Sequence, residues 1–313
     1  MPYTLAHPLF AAPLRKIFPY LSLTGLILGS MGPDMEYFIA MQPFQTIGHS
    51  FAGFLLLVLP MCVAFALAFH KIIKPSLPDL LPNFGVIRAY ASFLNRPWHL
   101  SKGKDWLRFI ISLYIGFLTH VFVDHFTHSS GWFVQRLPFL QSLIMGDYVY
   151  HILQMSFSLL GLAAPCLYLL LSYSAWRKKE QGLITSHHAQ SPLKHWGLLL
   201  FPALALFTAK LMGSGSIFSI SIWAVAPITS ALFGLYAASL LLVAAKNQKI
   251  MRAIFVLIIL VLLMGFYKYW SDQTEFSISL WVLYQFGLST VIATGAILCH
   301  KNPKFNDMNY SRP

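Results

Sequence analysis

The chain has 313 residues, 57% of them hydrophobic and only 10% charged, and its mean hydropathy is +0.64. This composition excludes a soluble globular enzyme and points to an integral membrane protein. The net charge of +12 does not mark a nucleic-acid partner, because the basic residues are confined to every second connection between apolar segments.

Apolar stretches of about the ~20 residues that a helix needs to cross a bilayer occur at 51–70, 107–126, 150–173, 195–212, 217–245, 250–270 and 277–299. An eighth stretch, 17–31, is short and reads as a thin or re-entrant span. The segments are too long, and their alternation too weak, for a β-barrel. The expected fold is therefore all-α: a polytopic transmembrane helix bundle of about eight spans. Nothing repeats internally, which argues against an inverted-repeat transporter.

Nineteen of the 22 basic residues fall on one side of this arrangement, and Arg136, Lys210 and Lys268 fall on the other. The positive-inside rule then places the basic connections and both termini in the cytoplasm, as for a bacterial inner-membrane protein. Cys62, Cys166 and Cys299 all lie within spans, so they are expected to be small apolar side chains rather than a disulfide or thiolate cluster. The N-terminus lacks a charged region before an apolar core, and no cleavable signal peptide is expected.

In chain order, residues 1–173 form a membrane half that holds most of the ionisable groups near the membrane. Residues 174–194 form a polar linker with a solvated His187-His188 pair, residues 195–300 a four-span scaffold half, and residues 301–313 a polar tail. The connection 71–106 carries Pro75, Pro78, Pro82 and Pro97, which are expected to break it into short pieces. Between Pro82 and Pro97, Phe84, Ile87, Ala91 and Leu94 recur at helical spacing, as in a short helix lying on the cytoplasmic leaflet. Lys210 is expected to snorkel to the outer surface.

The alternating topology brings scattered polar residues to one membrane level. Asp34 and Glu36 follow a Gly-Pro turn at the outer end of the first segment. His49 begins the second long segment, His120, Asp124, His125 and His128 close the third, and Asp147 and His151 open the fourth. His120 and Asp124 are four residues apart, on one helix face, and ionisable groups within a span are functional candidates. A mixed His/Asp donor set suits zinc, manganese or iron. Helices beginning at this level present N-termini that favour an anionic group such as phosphate. Each residue also has a plainer role: His120 and Asp124 as a hydrogen-bonded packing pair, Asp34 as a turn former, Asp147 and Arg136 as solvated loop charges. His125 lies about 100° round the helix from Asp124 and is expected to face elsewhere.

Met1-Pro2-Tyr3-Thr4-Leu5-Ala6-His7-Pro8, Gly29-Ser30-Met31-Gly32-Pro33-Asp34-Met35-Glu36, His49-Ser50 and Thr119-His120-Val121-Phe122-Val123-Asp124-His125-Phe126-Thr127-His128 together resemble an uncharacterised family of bacterial integral membrane proteins, domain of unknown function 4184. The resemblance covers about residues 1–160 and is shared more distantly with membrane-bound metal-dependent hydrolases of the YdjM type. It implies His7, Asp34, His49, His120 and Asp124 as metal-site residues. A His-Arg pair that usually precedes the Gly/Thr-His-Ser run of those hydrolases is missing here, where only His49-Ser50 remains. His7 fits the cluster if 17–31 is re-entrant, and is unrelated to it if 17–31 spans.

The expectation is a membrane-bound metal-dependent hydrolase of a phosphoester or ester, with membrane lipid or a lipid-linked molecule as substrate near the outer leaflet. One or two divalent ions, zinc or manganese foremost, are held by Asp34, His49, His120 and Asp124, with His7, His128 and His151 as further candidate ligands. Glu36 is the candidate base, with a group that orients a ligand histidine and a solvated interfacial charge as its other readings, and Asp34 is placed with it at the reacting centre. The competing expectations are a non-catalytic membrane scaffold, whose polar cluster only specifies packing, and a cation or proton transporter. Oligomeric state and protein partners are not legible.

Overall fold

A computed structural model describes residues 4–82, 86–95, 97–98, 100, 102–180, 193–214 and 218–300. The His187-His188 pair and the 301–313 tail lie outside the described residues, as does most of the expected linker. Among the described residues, seven helices are long and apolar enough to cross a membrane.

The segment before them, 4–34, is a hairpin rather than a span. Short helical turns descend from Thr4 to Ile17. Ser22 then caps helix α1 (Leu23–Met31) by accepting from the Gly25 amide at 3.3 Å, and α1 climbs back. The tip carries exposed Arg15 and Lys16. A 3-10 turn, Gly32–Asp34, and a short helix, Met35–Ala40, continue from α1. This hairpin is the shape that the re-entrant reading of 17–31 calls for.

Helix α2 (Phe51–Leu80) runs antiparallel to α1: Thr24 meets His70 at 2.9 Å, and the Cys62 thiol donates to the Leu28 carbonyl. The expectation that Pro75 and Pro78 break the chain is not met, because α2 continues through both to Leu80. Two π-helical turns, Phe54–Val58 and Phe69–Ile73, precede Pro60 and Pro75. Such wide turns relieve the clash and the missing hydrogen bond that a proline imposes inside a helix.

Helix α3 (Gly103–Thr127) runs parallel to α1. Ser22 N donates to Ser112 Oγ at 2.7 Å, and His120 Nδ1 meets the Ser30 carbonyl at the same distance. Glycines bring the two backbones together: a Cβ on Gly29 would stand 2.0 Å from the Leu113 carbonyl oxygen, and one on Gly116 2.4 Å from that of Leu26. Small residues at a close helix crossing are the usual basis of packing in lipid, where apolar burial gives no drive of its own.

A β-hairpin, β1 (Leu143–Ile144) with β2 (Asp147–Tyr148), turns through Met145 and Gly146, both at positive φ. It leads into α4 (Val149–Lys179), a lipid-exposed helix whose Gly161 admits Ala6 of the hairpin. Then follow α5 (Leu193–Met212), α6 (Ile220–Lys246), α7 (Ile250–Gln273) and α8 (Ile278–Cys299). The expected amphipathic helix is present as Ile87–Leu94, docked on α4 by the Tyr90 hydroxyl donating to Ser172.

The two halves read from the sequence share one core, in which Phe54, Met61 and Phe109 pack with Leu240, Leu260 and Trp281. Lys210 reaches the Ala40 carbonyl and the Gln42 side chain, and Thr229 donates to the Phe38 carbonyl. At the opposite end of the bundle Lys246 pairs with Asp79, and Asn247 donates to the Cys299 carbonyl. Thr4 and Cys299 consequently lie at opposite ends of the bundle. That departs from the expectation that both termini share one face, and the re-entrant hairpin is the reason.

Candidate functional site

The donors come from four places. Pro33 and the tight turn after α1 project Asp34 inward from the head of the hairpin. Loop 41–50 delivers His49 just ahead of Ser50, which caps α2 by accepting from the Gly53 amide. His120 and Asp124 stand one turn apart on α3, and His7 arrives from the start of the re-entrant segment.

His49 Nε2 and His120 Nε2 are 3.2 Å apart. Asp34 Oδ1 lies 3.5 Å from His49 Nε2 and 3.6 Å from His120 Nε2. Asp124 Oδ2 lies 3.5 Å from His49 Nε2 and 3.2 Å from His120 Nε2. His7 stacks on His120, and its Nε2 is 3.6 Å from Asp124 Oδ1. Asp34 and His120 are fully buried and His7 is 1% exposed.

A surrounding set of contacts aims these rings and carboxylates. His120 Nδ1–H donates to the Ser30 carbonyl, so its Nε2 lone pair faces the cluster. Thr4 Oγ1 donates to Asp34 Oδ2 at 2.8 Å and leaves Oδ1 to face the histidines. The Gln45 amide lies between the Tyr37 hydroxyl and His49 Nδ1, at 3.1 and 2.9 Å. None of Ser30, Thr4 or Gln45 stands out in the sequence as a site residue. Thr4 lies within the family-like opening, which was the one signal available for it.

Glu36 is not placed to act as a base. Its carboxylate accepts from Thr46 N and Gly48 N at 3.0 Å each, from Thr46 Oγ1, and from Trp281 Nε1 at 2.7 Å. Glu36 therefore holds the loop that carries His49. Gly48 is required there, since a Cβ would stand 2.6 Å from Glu36 Oε2.

His151 is also corrected. Its Nδ1 pairs with Asp147 Oδ2 at 2.6 Å, and both side chains are half-exposed at the head of α4. Sharing a membrane level did not bring His151 round to the cluster. The hydrogen bond from His151 lowers the Asp147 carboxyl below its usual range, as for any exposed pair of this kind. His128 caps α3, with Nδ1 3.0 Å from the Asp124 carbonyl and 3.6 Å from Asp124 Oδ1. His125 accepts from the Trp132 amide and, against the expectation that it faces elsewhere, lines the same cavity as Asp124 and His128. Arg136 stacks over the Trp132 ring and stays exposed.

The cluster opens into a cavity of about 280 Å³ lined by Tyr37, Gln45, His49, Asp124, His128 and Ser130. Trp132, whose amide meets His125 at the cavity wall, is exposed.

A family model matches residues 1–300. The chain belongs to the family described as Domain of unknown function (DUF4184). The match runs through all seven long helices, well past the 1–160 region in which the quoted motifs lie. No curated protein and no solved structure shows a significant match to the chain.

Proposed function

We propose that this protein is a membrane-embedded, metal-dependent hydrolase of a phosphoester or ester carried by a lipid or lipid-linked molecule. The observation that carries the reading is the set of five donor separations of 3.2–3.6 Å among Asp34 Oδ1, His49 Nε2, His120 Nε2 and Asp124 Oδ2. Two ligands on one ion at ~2.0–2.1 Å stand ~3.3–3.4 Å apart at the tetrahedral angle. Most of these separations are too long for hydrogen bonds. The scaffold alternative predicts a cluster that satisfies itself, yet Asp34 Oδ1 and both His7 nitrogens are buried without a hydrogen-bond partner. A transporter needs a polar route onward to the basic end of the bundle, and the sequence of the last four helices offers little toward one.

Asp34, His49, His120 and Asp124 would hold the ion, with zinc or manganese matching the His/Asp set. A bound divalent ion supplies Lewis acidity and a water whose pKa falls to ~7. Turned so that its oxygen accepts from His49 Nδ1–H, the Gln45 amide keeps the His49 lone pair on the cluster. His128 lines the cavity with its Nδ1 held by the Asp124 carbonyl, and is the residue placed to move a proton. Tyr37 and Ser130 line the same cavity and orient the substrate. Since the basic connections lie at the other end of the bundle, the positive-inside rule puts this site toward the outer face of a bacterial inner membrane.

The test is elemental analysis of full-length protein purified in detergent without chelators, beside Asp34→Ala and Asp124→Ala. About one ion or more per chain is expected in the parent and a negligible amount in either variant. Cleavage of a p-nitrophenyl phosphodiester or carboxylate ester should stop on chelation and return with Zn²⁺ or Mn²⁺. A metal-free parent grown with both metals would refute the proposal.

A further inference from the structure

We infer that the cluster is built for two divalent cations, the second held by His7 and joined to the first through the two oxygens of Asp124. The inference rests on the four-donor set above being a metal site.

The imidazoles of His7 and His120 are stacked, with centroids 3.8 Å apart and planes 18° from parallel. An ion binds an imidazole nitrogen along its lone pair, in the plane of the ring and ~2.0–2.1 Å away. Planes so nearly parallel do not meet within bonding distance of either ring, so one ion cannot serve both. Each ring instead has its own oxygen of one carboxylate: His120 Nε2 is 3.2 Å from Asp124 Oδ2, and His7 Nε2 is 3.6 Å from Asp124 Oδ1. Ions lying in the two ring planes would be separated by about the ~3.5–4 Å of two-metal hydrolytic centres, with Asp124 as the bridge.

Burial gives a second, independent line. Both His7 nitrogens and Asp124 Oδ1 are buried without any hydrogen-bond partner. A histidine kept only to pack on His120 leaves these three atoms uncompensated, and native interiors rarely tolerate that. A cation between His7 Nε2 and Asp124 Oδ1 satisfies two of the three at once. His7, Asp34 and His120 each bring a ligand atom within 4.8 Å of the others, as His49, His120 and Asp124 also do; His120 is common to both sets, so the two positions adjoin. With fewer protein donors than the first, the His7 position is the weaker and the more readily exchanged.

The experiment is a Mn²⁺ titration of the full chain in detergent after chelation, with bound metal counted and the electron paramagnetic resonance spectrum recorded at saturation. The parent should take two ions per chain in two affinity steps and give the spectrum of an exchange-coupled pair. His7→Phe, which keeps a stacked ring but offers no nitrogen, should take one ion and give an uncoupled spectrum. His7→Leu, which also offers no donor atom, provides the same comparison should the phenylalanine disturb folding. A parent that saturates at one ion, or a His7→Phe protein that still shows a coupled pair, overturns the second position and leaves the first intact. A parent that binds no Mn²⁺ and no Zn²⁺ overturns both.

Discussion

Asp34 and Glu36 sit two residues apart, and their carboxylates face opposite tasks. Asp34 keeps one oxygen bare toward two imidazoles, whereas Glu36 spends both oxygens on loop 46–48 and on Trp281. Glu36→Gln should therefore act through position rather than chemistry. It should lower the melting temperature by several degrees and weaken Mn²⁺ binding ~10-fold, toward the low end for groups that orient a ligand, both read by thermal scans and metal titration. His151→Ala should leave bound metal unchanged, and loss of metal in that variant would return His151 to the ligand set. Because the histidine ligands must be neutral, protons compete with the ion. Retention should fall as the pH is lowered and recover as it is raised again, measured by metal counting after equilibration. At this scale the sequence was legible where spacing alone decides, as for His120 and Asp124. It left Glu36 open between base and positioning group, since the partner Trp281 is 245 residues away, and it misled at His151, because depth in the membrane says nothing about which way a side chain points.

The element that sets the site's geometry is the pairing of α1 with α3. Gly25, Gly29 and Gly116 let the backbones approach until Ser30 receives His120, and no ligand is involved in that approach. Gly29→Val should force the helices apart, at a cost of about 1–3 kcal/mol as for other overpacked cores. It should also release metal, although position 29 touches none of the donors. Gly265→Ala on α7, where an added Cβ meets nothing within 4 Å, is the control and should alter neither melting temperature nor metal content. Hydropathy marks every long helix but cannot see this contact, since lipid-facing and helix-facing positions are equally apolar. The glycine spacing was the available signal. The continuation of α2 through Pro75 and Pro78 was likewise hidden, because it depends on a π-turn that no residue type announces.

For the molecule as a whole, the alternating helices and the charge distribution give one orientation that labelling can check. In a cysteine-free background, Met145→Cys in the fully exposed turn of the β-hairpin should react with a membrane-impermeant maleimide in intact cells. Lys178→Cys at the end of α4 should react only after the membrane is opened, and the reverse pattern would invert the orientation. Glu36 has a consequence for assembly at this scale. Its carboxylate is a clasp whose last finger, the Trp281 indole, belongs to α8, 245 residues further along the chain. As the polypeptide emerges from the ribosome, His7, Asp34, His49, His120 and Asp124 are all translated well before that finger exists. The loop that carries His49 therefore stays unlatched until α8 is in place, however early the other residues of the nest are made.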